Sequence, residues 1–149
     1  MKQAIIYTFL PASFTKSLPK LIETVWGKDN RILIHSIDQA QLQELDNLLW
    51  SYEQLSFLPH VIDGDSLTAE TPIVLTTGEI NLNNSNILLC LENKLPQFAT
   101  TFDKVLFINK NEPGRHQDDL MGFIDSLKSG GFEVTQHIQG NNGTWQKIN

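Results

Sequence analysis

Cysteine is almost missing from this chain: Cys90 is the single one among 149 residues. One thiol closes no intramolecular disulfide, so nothing points to an oxidising compartment. Positive charge is scarce as well, with 11 Lys and Arg against 17 Asp and Glu, a net charge of −6. A nucleic-acid binder needs a basic footprint to displace counterions from phosphates, and no Lys/Arg cluster is present. Direct DNA or RNA binding is therefore not expected. Long hydrophobic runs are also lacking. The opening stretch MKQAIIYTFLPASF has one cation and too short an apolar run for a signal peptide, and nothing approaches the roughly 20 apolar residues of a membrane span. The expectation is a soluble cytoplasmic protein without membrane contact.

Phosphate-binding glycines are absent too. No G-x-x-x-x-G-K-[ST] occurs, and no G-x-G-x-x-G follows an apolar run. After the first strand-like segment stands Leu10-Pro11-Ala12-Ser13, whose side chains and missing proline N–H make a poor phosphate cradle. His35, His60, His116 and His137 show no pair at metal-ligand spacing, so no metal or cofactor is expected. His35 ends a strand-like run and reads more simply as a hydrogen-bonded core-edge histidine than as a ligand. Asp118-Asp119 would complement a helix dipole, and Cys90 in NILLCL reads as core. No nucleophile elbow is present, and no residue is assigned a catalytic role.

What is there is globular. Hydrophobic residues make up 40% and charged residues 19%, and a chain of this length buries roughly two-thirds of its unfolded surface. One domain over residues 1–149 is expected. Gln3–Phe9, Arg31–Ser36, Pro72–Thr77, Asn86–Leu91, Val105–Asn109 and Phe132–Ile138 read as strands, several of them continuously apolar as in strands covered on both faces. Helices are expected from Ser13 or Thr15 to Trp26, from Asp38 to Leu49, and over Gln117–Ser129, with a short one at Leu95–Thr101. Pro19 is tolerable only in a first turn. Gly27 fits a C-cap, Asp38 an N-cap, and Gly140–Gly143 a turn into a hairpin partner at Thr144–Ile148. Alternating strands and helices mean an α/β fold with a largely parallel sheet.

One segment breaks the pattern. Loops are normally polar, because their backbone needs water. Yet LLWSYEQLSFLPH, residues 48–60, runs from a helix into a connection while carrying Trp50, Tyr52, Leu55, Phe57 and Leu58. Trp50 lies off the ridge of Leu42, Leu45 and Leu49 and need not point inward. Pro59 disfavours helix at Leu58, which stiffens the stretch. Two readings stand: a lid over the core, or an aromatic patch of the composition found at protein interfaces. On the late helix, Leu120, Phe123, Ile124 and Leu127 form the inward face, and Gln117, Met121, Ile124 and Lys128 follow a neighbouring stripe.

In order, QAIIYTF, RILIHS, the pair LLW…FLPH, PIVLTT, NILLCL, FDKVLFI and GGFEVT with Trp145 resemble the chi subunit of bacterial DNA polymerase III holoenzyme, over nearly the whole chain. The resemblance implies a Rossmann-like three-layer fold with helices on both faces, and a non-enzymatic part of the clamp-loader complex. It implies two partners: the psi subunit, which ties chi to the clamp loader, and the acidic, Phe-ended C-terminal tail of single-stranded DNA-binding protein. It places Trp50, Phe57, Leu58, Pro59 and His60 on the psi-facing side, which favours the interface reading. It places the tail on the late-helix stripe, with Arg115, Gln117, Met121, Ile124 and Lys128. There the chain departs from the family, since Met121 stands where a cation is expected; Arg115, Lys110 or Lys104 would have to compensate. On its own the subunit is expected to be a monomer. The competing readings are a small α/β enzyme using His35, or an α/β module serving an unrelated partner through Trp50 and Phe57.

Overall fold

The computed structural model describes residues 2–27, 29–52, 58–64, 68–110 and 117–148. Among the described residues eight strands form one sheet: β1 Lys2–Phe9, β2 Ile32–His35, β3 His60–Ile62, β4 Ile73–Thr76, β5 Ile87–Cys90, β6 Lys104–Lys110, β7 Phe132–Gln139 and β8 Trp145–Ile148. Their order is β3-β4-β2-β5-β6-β1-β7-β8, parallel throughout except for the antiparallel β7–β8 hairpin. The helices are α1 Phe14–Trp26, α2 Gln39–Ser51 and α3 Gln117–Ser129. The protein is thus a mixed α/β structure on a mostly parallel sheet, as the alternation of elements predicts.

Because strand side chains alternate in direction, the buried residues divide into two clusters. Ile32, Ile34, Ile73, Leu75, Ile87, Leu89, Leu106 and Ile108 join Leu18, Leu21 and Ile22 of α1 and the ridge Leu42, Leu45 and Leu49 of α2. Ala4, Ile6, Leu33, Val74, Leu88, Val105 and Phe107 join Ile124 and Leu127 of α3, together with Ala99 and Phe102. Each fully buried aliphatic or aromatic side chain contributes ~1.5–3 kcal/mol. β2, β4 and β5 are buried at every position, which is why their sequences alternate so little.

The expected caps form. Asp38 accepts a hydrogen bond from the Ala40 N–H, and Gly27, at φ +48°, closes α1 with its N–H on the Glu23 carbonyl. Three expectations need correction. Pro19 is not in the first turn of α1: the helix begins at Phe14, so Pro19 sits in its second turn, buried, without the hydrogen bond to the Thr15 carbonyl that an N–H would make. The short helix expected at Leu95–Thr101 forms as a 3-10 helix over Gln97–Thr101 only, with Pro96 extended before it. His60–Ile62 pairs with β4 as a strand that no sequence pattern announced, since three residues are too few to show a period.

At the other sheet edge, Tyr7 stacks on His137 with ring centroids 5.1 Å apart, and Trp145 meets Tyr7 edge-on at 5.3 Å. Burial, and secondarily the Lys147 charge, holds the His137 pKa below its ordinary value. The neutral ring is therefore the folded form, and its stabilising effect is present above the ordinary histidine pKa and lost as pH falls through the lowered one. Lys147→Gln is expected to raise the His137 pKa part of the way back, because burial remains. A proton-NMR titration of the imidazole checks this, and an unmoved pKa would count against the Lys147 contribution.

Candidate docking face and its family

The segment that raised the question, residues 48–60, is divided by the structure. On α2, Leu42, Leu45 and Leu49 are buried as one ridge, and Trp50, one residue round the helix, is 60% exposed. The off-ridge spacing allows this outcome without requiring it. Leu48 and Tyr52 are half-buried and pack against the core beside that ridge. Leu58 and His60 are 1% and 3% exposed, so these two of the expected psi-facing residues lie inside rather than on the surface. Pro59 is half-buried, and Phe57 lies outside the described residues. The lid reading therefore holds for Leu58 and His60, while Trp50 stands outward.

His60 links the two parts. Its Nδ1 lies 2.6 Å from the Leu58 carbonyl, and a carbonyl only accepts, so Nδ1 carries the proton. Its Nε2 lies 3.4 Å from Asp46 Oδ1, without forming a hydrogen bond. Its ring centroid is 4.7 Å from that of Trp50, at 52°. Asp46 and Trp50 are four residues apart on α2 and so share a face. β3 enters the sheet directly beneath it.

On α3, Met121 is 61% exposed and Lys128 is exposed, while Ile124 is 7% exposed and belongs to the core. Ile124 was expected on both the inward face and the stripe; it takes the inward one. The exposed residue beside it is Asp125, an anion that the stripe pattern missed. Gln117 opens the helix, but its side chain lies outside the described residues, as does Arg115. Of the expected tail-binding set, the structure brings Met121 and Lys128 to one exposed stripe, about 10 Å apart along the axis.

A family model, DNA polymerase III chi subunit, HolC, matches residues 1–120. The chain belongs to the chi family. The DNA polymerase III subunit chi of Pseudomonas aeruginosa is 33% identical over 98 residues, 66% of this chain and 68% of the relative. That of Haemophilus influenzae is 29% identical over 94 residues, 62% of this chain and 65% of the relative, so the chain spans somewhat under two thirds of that protein. The probable chi subunit of Rickettsia prowazekii is 24% identical over 155 residues, 99% of this chain and 93% of the relative. The match at 1–120 takes in all of α2 and the residues 48–60, and ends within α3 before Met121 and Lys128.

Chi is an accessory subunit of the replicative polymerase, and this chain is not a catalytic one. The histidine and cysteine weighed for chemistry have structural settings. His35 is 5% exposed and meets Phe98 edge-on at 5.7 Å. Cys90 is 1% exposed, and burial, reinforced by the Glu92 charge, pushes its thiol pKa up, away from the nucleophilic thiolate. At the carboxyl ends of β5 and β6 a groove of about 400 Å³ runs between α1 and α2, lined by Phe14, Leu18, Leu45, Leu48, Leu91 and Lys110. Lys110 lies over the Phe14 ring, 4.1 Å from its centre. Among the described residues no three His, Cys, Asp or Glu side chains gather as a metal site, and no helix is long and apolar enough to cross a membrane.

Proposed function

We propose that this chi-family chain is a single Rossmann-like three-layer domain, working in the cytoplasm, that bridges the psi subunit to the C-terminal tail of single-stranded DNA-binding protein. It reaches the clamp loader through psi, touches no nucleic acid itself, and is a monomer when alone. The observation that carries the psi assignment is Trp50. A large aromatic 60% exposed at the end of a helix, over a buried histidine, has the composition and support of an interface anchor. Pro59 extends this face, Leu58 and His60 support it from below, and Phe57 is assigned to it from the resemblance alone. The net charge of −6 suits a role that leaves nucleic acid to other subunits. Co-purification with the cognate psi subunit is the test, and a chain that leaves psi in the flow-through rejects the assignment.

The tail site is proposed on the outer stripe of α3. Lys128 supplies a cation for the tail carboxylates, and Met121 an apolar contact for the terminal Phe. Ile124 serves as the floor of that stripe, and Arg115 and Gln117 are assigned to the site from the resemblance alone. Asp125 opposes an acidic ligand, so the interaction is weak and electrostatically tuned. A tail peptide is expected to bind at low salt and to weaken as salt rises. Lys128→Ala should reduce its affinity about two- to fivefold, and Met121→Arg should raise it by a similar factor, as exposed ion pairs allow. Fluorescence anisotropy checks both. No binding at low salt, or a Met121→Arg variant no tighter than the parent, contradicts the site.

A further inference from the structure

The burial of His60 changes what that residue can do. At 3% exposure it presents almost nothing to a partner, yet its ring is held at Nδ1 and lies against Trp50. Nδ1 is held by the Leu58 carbonyl at 2.6 Å, Nε2 is 3.4 Å from Asp46 Oδ1, and the ring lies 4.7 Å from Trp50. The Leu58 bond spans two residues across Pro59 and so fixes the ring relative to the chain entering β3. Asp46 sits one helical turn before Trp50, so the ring edge that faces it lies against the same side of α2 as the indole. The aromatic contact then transmits the Leu58 constraint to the exposed indole.

Core stability alone does not account for a histidine here. Nε2 is buried without a hydrogen-bond partner, a condition that needs an explanation in a native structure. An aliphatic side chain of similar size would fill the space without leaving that nitrogen unpaired. What it would not supply is a flat ring tied at Nδ1 and lying against Trp50. An exposed indole free to sample several rotamers pays an ordering entropy on binding, which a preset one avoids.

We infer that His60 is a positioning residue that presets the Trp50 indole for docking and does not itself contact the partner. The inference rests on the reading of Trp50 as the psi-docking residue, and the experiment separates the two. The full chain is labelled with 5-fluorotryptophan, so that its three tryptophans, Trp26, Trp50 and Trp145, give separate fluorine NMR signals. Trp50→Phe identifies the Trp50 signal. His60→Ala, and the milder His60→Gln, are expected to shift or broaden that signal while those of Trp26 and Trp145 stay in place. Psi affinity is then measured by titration. His60→Ala should weaken it roughly tenfold, within what one aromatic contact supplies. In a Trp50→Ala background the same change should alter affinity less than about twofold, because its route is gone. An unmoved Trp50 signal in both His60 variants overturns the inference, as does a His60 effect of full size in the Trp50→Ala background. If the signal moves but neither Trp50→Ala nor His60→Ala changes psi affinity, the positioning stands and the docking role of Trp50 falls.

Discussion

Trp50→Ala lowers the affinity for the psi subunit by roughly 30- to 1000-fold, the 2–4 kcal/mol that separates an interface anchor from its neighbours. The expectation follows from where the side chain stands. Truncating a buried core residue would damage the fold and confuse the readout, but Trp50 is 60% exposed and stands outside the buried ridge. The core ridge it flanks, Leu42, Leu45 and Leu49, stays covered. The variant should therefore unfold within a few degrees of the parent while binding far more weakly. Isothermal titration with psi, alongside a thermal melt, gives both numbers. An affinity within threefold of the parent would remove Trp50 from the interface, and a large drop in melting temperature would mean that it serves the fold instead.

The second large effect concerns stability. Asn83→Ala is expected to destabilise the chain by about 2–4 kcal/mol, because buried groups lose their partners together. Asn83 is 1% exposed at the amino ends of β2, β4 and β5. Its Nδ2 donates to the Thr71 carbonyl at 3.0 Å and reaches those of Pro72 and Ile32 at 3.3 and 3.4 Å. Its Oδ1 accepts from Ser85 Oγ at 2.5 Å, and Arg31 Nε donates to its carbonyl at 2.7 Å. One amide thus ties together the chain segments that enter three adjacent strands. Removing it strands carbonyls where water cannot easily follow. Urea denaturation measures the loss, and a change below about 0.5 kcal/mol, the level of an ordinary surface substitution, would refute the hub. Psi binding by the surviving folded fraction should be unaltered, since Trp50 belongs to a different region.

Asn83 also shows where sequence reading stops. A polar Asn83-Asn84-Ser85 triplet suits a turn, and Asn84 adopts φ +52° there. Nothing in a polar triplet says that its first side chain will be buried. That depends on long-range partners such as Arg31 and Thr71, which only the folded chain assembles. The same holds for His60. As a lone residue after Pro59 it has no periodic neighbours to declare a direction, so β3 and its buried start were invisible.

The strongly patterned elements fared differently. β2, β4 and β5 are continuous apolar runs because both their faces are covered, and they were readable for that reason. The three-to-four spacing of the α2 ridge leaves Trp50 outside it, which permits an outward side chain, and the structure decides for that one. Ile124 was ambiguous for an equally physical reason: on α3 it lies at the seam between the inward face and the outer stripe. A spacing rule counts such a residue twice, and packing against Phe132, Leu127 and Ala4 in one cluster decides it. The two partners themselves came from resemblance, not from residue chemistry.

The bridging role is tested most directly by one competition measurement. A fluorescent peptide with the sequence of the single-stranded DNA-binding protein tail is titrated onto the chain at low salt, alone and with saturating psi. Trp50 on α2 and Met121 and Lys128 on α3 belong to elements packed in the two separate core clusters. The account therefore predicts that psi binds and leaves the peptide affinity within about twofold, as independent sites require. Displacement of the peptide by psi, or a chain that binds only one of the two, would contradict it.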